Sequence, residues 1–257
     1  MSVFMIVSAL ASGALVGALL GLFGGGGSVL ATPLLLYVVG IRDPHVAIGT
    51  SAAAVAVNAA ISLMGHARGG RVKWPCATVF AGAGLIGSFA GSGLAKAVEG
   101  QRLLLFFAVA MAAIALSMLR RPKSAGDPDV HITLPLMMKL APLGVLTGLA
   151  AGFFGIGGGF LIVPGLMAAT GMTLANAAAS SLLSVSVFGA ATSLNYALTG
   201  QVNWPVAALF ILGGLGGGAL GVRAAGLLAG RVVLARRLFA GLVLLVAAYV
   251  AWRAVGS

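Results

Sequence analysis

Apolar runs of about 20 residues follow one another along almost the whole chain, the length that a membrane-spanning helix needs. Only 7% of the residues are charged, whereas a soluble domain carries about 25%. A chain with so few charges cannot cover a folded surface that faces water. In lipid the backbone must satisfy its own hydrogen bonds, which leaves helices or closed barrels. The runs show no two-residue alternation, so the sequence predicts an all-α polytopic membrane protein.

The chain contains an internal duplication. Residues 17–34 read GALLGLFGGGGSVLATPL, and residues 148–165 read GLAAGFFGIGGGFLIVPG. Two further matches follow in the same order: Thr50–Ser51 with Ser180–Ser181, and VKWP at 72–75 with VNWP at 202–205. We therefore predict three parts: a first transmembrane repeat at 1–120, a cytoplasmic linker at 121–134 and a second transmembrane repeat at 135–257.

Each repeat is predicted to form five helical segments, of which the second is short. Segments 27–40 and 158–170 have about 13 residues, too few for a regular α-helix to cross about 30 Å of hydrocarbon. A glycine run precedes each of them, and we name these runs the first glycine segment (residues 24–28) and the second glycine segment (residues 155–159). Each is either a break within one helix or part of a re-entrant hairpin. The other predicted segments are 3–23, 44–66, 75–97, 101–119, 135–154, 174–198, 205–225 and 231–253.

Loop charges predict how the two repeats are oriented. The loop after the third segment carries Arg68, Arg71 and Lys73 in the first repeat, and its counterpart at 197–203 carries no charge. Positively charged loops stay in the cytoplasm, so equivalent loops lie on opposite sides of the membrane. This requires an odd number of crossings per repeat and hence an inverted repeat. The net charge of +11 is spread over such loops, which argues against nucleic-acid binding.

Inverted repeats with interrupted helices are typical of secondary transporters that bind their substrate near the midplane. Backbone N–H groups at the start of a helix, together with the helix dipole, bind anions without a charged side chain. We therefore expect both glycine segments to face one anion site, the alternative being close helix packing through small residues. The candidate residues are Gly24, Gly25, Gly26, Gly27 and Ser28 in the first segment and Gly155, Gly157, Gly158 and Gly159 in the second.

Polar residues on the third segments complete the predicted site. Ionisable side chains are absent from the middle of every predicted segment, so the substrate is expected to be anionic or neutral rather than a cation. Hydroxyl and amide groups could bind a small oxyanion, although serine and threonine also bond to their own helix. The candidates are Thr50, Ser51 and Asn58 in the first repeat and Ser180, Ser181 and Asn195 in the second.

Other partners and activities are constrained by what the sequence lacks. A coupling proton is a candidate partner, since His45 and His66 could titrate near neutral pH, but both also suit an ordinary interfacial position. We predict no cofactor, metal site or catalytic residue, because the chain has one cysteine and no recognisable nucleophile–base pair. It also lacks an ATP-binding G-x-x-x-x-G-K-[ST] motif. The oligomeric state stays open.

The duplicated glycine cluster that ends in proline, the T-S/S-S pair and the V-x-W-P turn resemble the TauE/SafE family of membrane exporters. The resemblance covers both repeats and implies a multi-pass carrier of the plasma (inner) membrane that moves sulfite, organosulfonates and related anions, often outward. An anion channel or a carrier of another small organic anion is the alternative. Ser28 stands where the second copy has Gly159, and Ile156 where the first has Gly25. The family motif maps onto Gly21, Gly24, Gly26, Gly27 and Pro33, and onto Gly152, Gly155, Gly157, Gly158, Gly159 and Pro164.

Overall fold

The structure, a computed structural model, describes residues 2–119, 127, 130, 132–155, 159–227 and 232–256. These residues form helices joined by short loops, which confirms the predicted all-α class. A 3-10 helix at Gly24–Leu30 and a π-helix at Leu35–Val39 flank the short helix α2. The α-helices within the described residues are α1 (Val3–Phe23), α2 (Ala31–Leu34), α3 (Pro44–Arg68), α4 (Trp74–Lys96), α5 (Gly100–Leu119), α6 (Leu134–Phe154), α7 (Gly159–Thr170), α8 (Leu174–Ala197), α9 (Trp204–Leu227) and α10 (Val232–Gly256).

Local sequence signals account for the helix ends. Asp43 caps α3 by accepting a hydrogen bond from the His45 N–H at 2.8 Å, and Pro44 occupies the first turn. Proline suits that position because the first N–H groups of a helix have no partner within it. α4 and α9 each begin at the tryptophan of the V-x-W-P sequence. Most of the predicted linker lies outside the described residues, but Asp127 contacts the loop between α7 and α8 through its N–H and the Gly171 carbonyl, 2.8 Å apart.

Seven stretches of the described residues are long and apolar enough to cross a membrane. Two shorter apolar helices, Gly100–Leu116 and Leu161–Thr170, lie between them. Large apolar side chains on the outer helices face outward, as expected in lipid. The candidate spans are Val3–Val39, Pro44–Arg68, Trp74–Lys96, Leu134–Phe154, Leu174–Ala197, Trp204–Gly226 and Arg237–Ala254.

Helices α3 and α8 form the centre of the bundle. Their most apolar stretches are 72% and 67% buried, against 33–44% for the other spans. They run antiparallel: the contacts pair Gly49 with Tyr196 and Ala56 with Ser186. The third helices of the two repeats therefore cross the centre in opposite directions.

Two parallel helix pairs, α1 with α9 and α4 with α6, flank this centre. Glycine lets the paired backbones touch, and a Cβ on Gly17 would overlap the Gly214 carbonyl group. In each pair the first helix of one repeat packs on the fourth helix of the other, so the arrangement is unchanged when the repeats are exchanged. The contacts step along both helices of a pair in the same order: Gly13 with Phe210, Gly17 with Gly214 and Gly21 with Gly218, then Gly84 with Gly148 and Ser88 with Gly152.

Candidate functional site

The first glycine segment begins where α1 ends. Gly24 has φ 65° and ψ −146°, a conformation that glycine alone adopts readily, and a Cβ there would overlap the Ala178 carbonyl of α8. The chain then continues as a buried 3-10 helix to Leu30. We expected the next helix to start at residue 27. It starts at Gly24 because one glycine turn is enough to redirect the chain.

The second glycine segment also begins at a glycine with a positive φ, although its ψ of 17° differs from that of Gly24. Gly155 has φ 66° and ends α6, where its N–H donates to the Ala151 carbonyl at 3.0 Å. A Cβ there would overlap the side chain of Ile48 on α3. Gly157 and Gly158 lie outside the described residues, and Gly159 is the first residue of α7.

Each glycine segment contacts a serine of the other repeat. The Gly25 N–H donates to Ser181 Oγ at 3.0 Å. On the other side, Ser51 Oγ lies 3.5 Å from the Gly155 carbonyl oxygen and 2.9 Å from Thr32 Oγ1. The sequence does not predict this exchange of partners, although both motifs recur in both repeats.

The neighbouring hydroxyl groups hold the loops that precede α4 and α9. Thr50 Oγ1 accepts a hydrogen bond from the Asn203 N–H, and Ser180 Oγ accepts one from the Lys73 N–H, both at 2.9 Å. Asn203 and Lys73 belong to the two V-x-W-P sequences, again in the opposite repeat. Thr50 and Ser180 thus join the repeats, and their oxygen atoms are already hydrogen-bonded.

The two Gly–Ser contacts lie at different levels along α3 and α8. That both glycine segments face one anion site stays a prediction, since Gly157 and Gly158 lie outside the described residues. Because α3 and α8 are antiparallel, Ser51 lies opposite the turn of α8 that precedes Tyr196. At 1.5 Å per residue this turn is on the order of 15 Å from Ser181. The contacts stand on opposite sides of the centre of the bundle, where the 3-10 helix and α7 pack against each other.

The rest of the first glycine segment is packed inside the protein. Ser28 Oγ donates to the Gly25 carbonyl at 2.8 Å. Gly27 touches the α1 backbone so closely that a Cβ would overlap Leu19, whereas a Cβ on Gly26 would lie 3.7 Å from the Phe239 ring. For Gly27, close packing explains the glycine.

Asn58 is buried and finds no hydrogen-bond partner in the part of the chain that the structure describes. Its side chain is 1% exposed, and this absence of a partner holds for both its Nδ2 and its Oδ1 atom. It lies in the middle of α3 against Gly214 of α9, where a Cβ would overlap the amide group. A buried polar group without a partner costs about 1–3 kcal/mol, so this amide is a candidate ligand-binding group.

Asn195 differs from Asn58 because both ends of its amide are occupied. Its Nδ2 donates to Ser92 Oγ at 2.7 Å and to the Phe89 carbonyl at 3.2 Å. Its Oδ1 accepts a hydrogen bond from Lys96 Nζ at 2.6 Å. Asn195 therefore connects α8 to α4 and provides an acceptor for the Lys96 ammonium group.

Two residues beyond the predicted site share the face of α3 on which Asn58 lies. Ser62 Oγ and His66 Nδ1 are also buried, with no hydrogen-bond partner among the described residues. The spacing of four residues from Asn58 to Ser62 to His66 could have identified this face, because such residues lie above one another on a helix. Two further unpartnered hydroxyl groups, those of Ser184 and Tyr196, lie on α8.

Neutral groups make up the buried polar interior of the described residues. The side chains concerned are serine, threonine, asparagine and histidine, and the described Asp, Glu, Lys and Arg side chains lie at or near the surface. Hydroxyl and amide groups can donate hydrogen bonds to an anion, and a buried carboxylate would repel one. This interior therefore suits an anionic or neutral solute.

Known proteins similar to this chain are named as probable membrane transporters. The model of the family described as "Sulfite exporter TauE/SafE" matches residues 9–250. A "Probable membrane transporter protein" of Xylella fastidiosa is 51% identical over 100% of this chain and 99% of its own length. YunE of Bacillus subtilis, named in the same way, is 26% identical over 85% of this chain and 86% of its own. No solved structure matches the chain.

The helical fold and these matches both indicate a membrane protein. Seven apolar stretches in the described residues make a multi-pass membrane protein, and the family match extends over both repeats. The family match and the relatives' names confirm a membrane transporter and, with it, a location in the plasma membrane. The chain belongs to the TauE/SafE family of membrane transporters.

Proposed function

We propose that this chain is a secondary transporter that moves small sulfur-containing oxyanions, such as sulfite or organosulfonates, outward across the plasma membrane. The description of the matching family supports the substrate class and the direction. The neutral polar interior of the described residues supports an anion over a cation. Cations at the ends of α3 and α9, among them Arg68, Arg71 and Arg223, would attract an anion to one mouth of the protein.

We infer that the two repeats form an inverted repeat and expose the substrate alternately to the two sides. The antiparallel course of α3 and α8 supports this inference. In addition, α1 and α3 both run parallel to α9, so residues 24–39 must return the chain across the bundle. At about 2.0 Å per residue in the 3-10 part and 1.5 Å beyond it, these residues extend on the order of 25 Å, enough for that return.

The observation that carries the proposal is the buried, unpartnered amide of Asn58. This residue lies near the midpoint of α3, between the levels of the two Gly–Ser contacts. We propose that Asn58 donates its Nδ2–H to the oxyanion. Ser51 with Gly155, and Ser181 with Gly25, would close the site toward the two sides by breaking and remaking their contacts.

Counterflow of labelled sulfite in proteoliposomes tests this function. A carrier takes up more label when unlabelled sulfite is inside, whereas a channel shows no such stimulation. We expect Asn58→Leu, which keeps the volume but removes the amide, to lower counterflow about tenfold or more, because a hydrogen bond to a charged group contributes about 1.5–3 kcal/mol.

Met64→Leu is the matched control, since Met64 lies on the same helix and is 55% exposed toward lipid. It should transport sulfite as the wild type does. If unlabelled sulfite inside the proteoliposomes does not stimulate uptake of label by the wild type, this would indicate a channel or another substrate. Asn58→Leu with normal counterflow would remove Asn58 from the site.

A further inference from the structure

We propose that one face of α3 is a proton path, in which Asn58 and Ser62 hold water and His66 takes up the proton. The inference rests on the proposed transport function, because the proton is assigned as the ion that moves with the anion. The path runs from the middle of the membrane toward the loop at 69–73.

Helical spacing and burial define the path. Asn58, Ser62 and His66 follow one another at four-residue intervals and are 1%, 2% and 6% exposed. Their unpartnered atoms are the two amide atoms of Asn58, Ser62 Oγ and His66 Nδ1. Gly214 and Gly218 of α9 face Asn58 and Ser62, and a Cβ on Gly218 would lie 3.3 Å from Ser62 Oγ. Buried polar atoms that lack a protein partner are commonly bonded to water.

The hydrogen bond of His66 determines which nitrogen accepts the proton. His66 Nε2 lies 2.9 Å from the Gly21 carbonyl oxygen, and a carbonyl only accepts, so Nε2 carries the hydrogen. The neutral ring therefore has its lone pair on Nδ1. On uptake, an N–H bond forms at Nδ1 and an O–H bond of a hydronium ion in the adjoining water breaks, which leaves a water molecule. Release reverses this step, and the Nε2–H bond is retained throughout.

His66 connects the proton to the first glycine segment. Gly21 lies in the last turn of α1, immediately before the turn at Gly24. A protonated imidazole is a stronger donor than a neutral one. Protonation therefore tightens the contact between α3 and the end of α1, and loss of the proton loosens it.

The charged groups around His66 give the coupling its sign. Arg71 donates its backbone N–H to the His66 carbonyl at 3.3 Å, and Arg68 and Lys73 lie close by in the chain. Among the residues of the neighbouring helices, α9 contributes Arg223, while α1 and the first glycine segment contribute no titratable side chain. These cations oppose a proton on His66, and an anion among them offsets that opposition. Anion and proton thus favour each other, so the anion should bind more tightly as pH falls.

His66→Gln separates the proton from the hydrogen bond, because the glutamine amide can still donate to the Gly21 carbonyl but does not titrate. Proteoliposomes with a pH-sensitive dye inside report proton movement alongside sulfite flux. We expect counterflow without a gradient to stay within about threefold of the wild type, while the response of sulfite flux to a pH gradient falls about tenfold. His45→Gln, at the opposite end of α3, should keep both.

The outcomes separate this inference from the proposed function. Wild-type protein without sulfite counterflow contradicts the proposed function, and the dye then still reports whether proton movement depends on His66. The proton path is overturned if His66→Gln responds to the gradient as the wild type does, or if wild-type sulfite flux ignores the gradient. Loss of counterflow in His66→Gln would show a structural role instead. Ser62→Ala, which removes one water-binding group, should slow proton movement and spare the counterflow signal.

Discussion

At the scale of single residues, Asn58 and Asn195 show how burial and partners together indicate function. Both lie in the third helix of their repeat, and both were predicted as site residues. Asn195 is bonded to Lys96 and Ser92, which accounts for a buried amide by structure alone. Asn58 has no such partner among the described residues. Burying an amide without a hydrogen bond costs about 1–3 kcal/mol. The fold accepts this cost at Asn58, and the amide is left free to bind a ligand.

Two glycines of α9 test how much Asn58 depends on its surroundings. A Cβ on Gly214 would overlap the Asn58 amide, whereas one on Gly216 meets nothing within 4 Å. Gly214→Ala should therefore displace Asn58 and reduce sulfite counterflow about tenfold. Gly216→Ala should leave counterflow intact and raise the melting temperature, since alanine favours a helix by about 1 kcal/mol over glycine. Equal behaviour of the two variants would argue against a close fit at Asn58.

At the scale of helices, the sequence was sufficient to predict where each helix begins and ends, but not which parts of the two repeats contact each other. Apolar run length, the Asp43–Pro44 cap and the two W-P starts predicted the boundaries within three residues. The exchange of glycine and serine partners could not be read in the same way. A duplication makes Ser51 and Ser181 equivalent, and an alignment looks identical whether each serine meets the glycines of its own repeat or of the other. Only the course of the chain decides between them.

The turn at Gly24 is expected to be the most sensitive point of the first glycine segment. Gly24→Ala combines an unfavourable φ of 65° with an overlap on Ala178. Gly40 also has a positive φ of 88°, but its ψ of 28° places it in the left-handed region and a Cβ there would meet nothing within 4 Å. Gly40→Ala is therefore the control for a positive φ without an overlap. We expect Gly40→Ala to cost about 1–2 kcal/mol of stability and Gly24→Ala considerably more, with loss of transport. Thermal unfolding in detergent measures both, and similar melting temperatures would contradict a tight turn at Gly24.

At the scale of the whole molecule, the orientation of the repeats decides how the protein can work. Loops 69–73 and 199–203 follow equivalent helices, α3 and α8, which run in opposite directions. If α3 and α8 both cross the membrane, these loops lie on opposite sides. The loop charges led to the same expectation from sequence alone, because cations in loops can be counted without knowing how the helices pack.

Thiol labelling tests this orientation directly. Cys76 is the one cysteine of the chain and is buried, so Cys76→Ser provides a background for single cysteines. Gly69→Cys and Thr199→Cys occupy equivalent, exposed positions without a left-handed backbone. In intact cells, a membrane-impermeant maleimide should label Thr199→Cys and spare Gly69→Cys. Labelling of both from one side would rule out an inverted repeat.

The helix pairs α1–α9 and α4–α6 have a consequence for how such a protein arose. In each pair the backbones touch through glycine, and the partner of each repeat's opening helix belongs to the other repeat. In neither half of the chain does the opening helix find its largest packing partner within the same half. If the repeats are inverted, as we propose, a single-repeat ancestor could have buried those glycines by associating with a second copy of opposite orientation, and fusion of two genes would have made that association permanent.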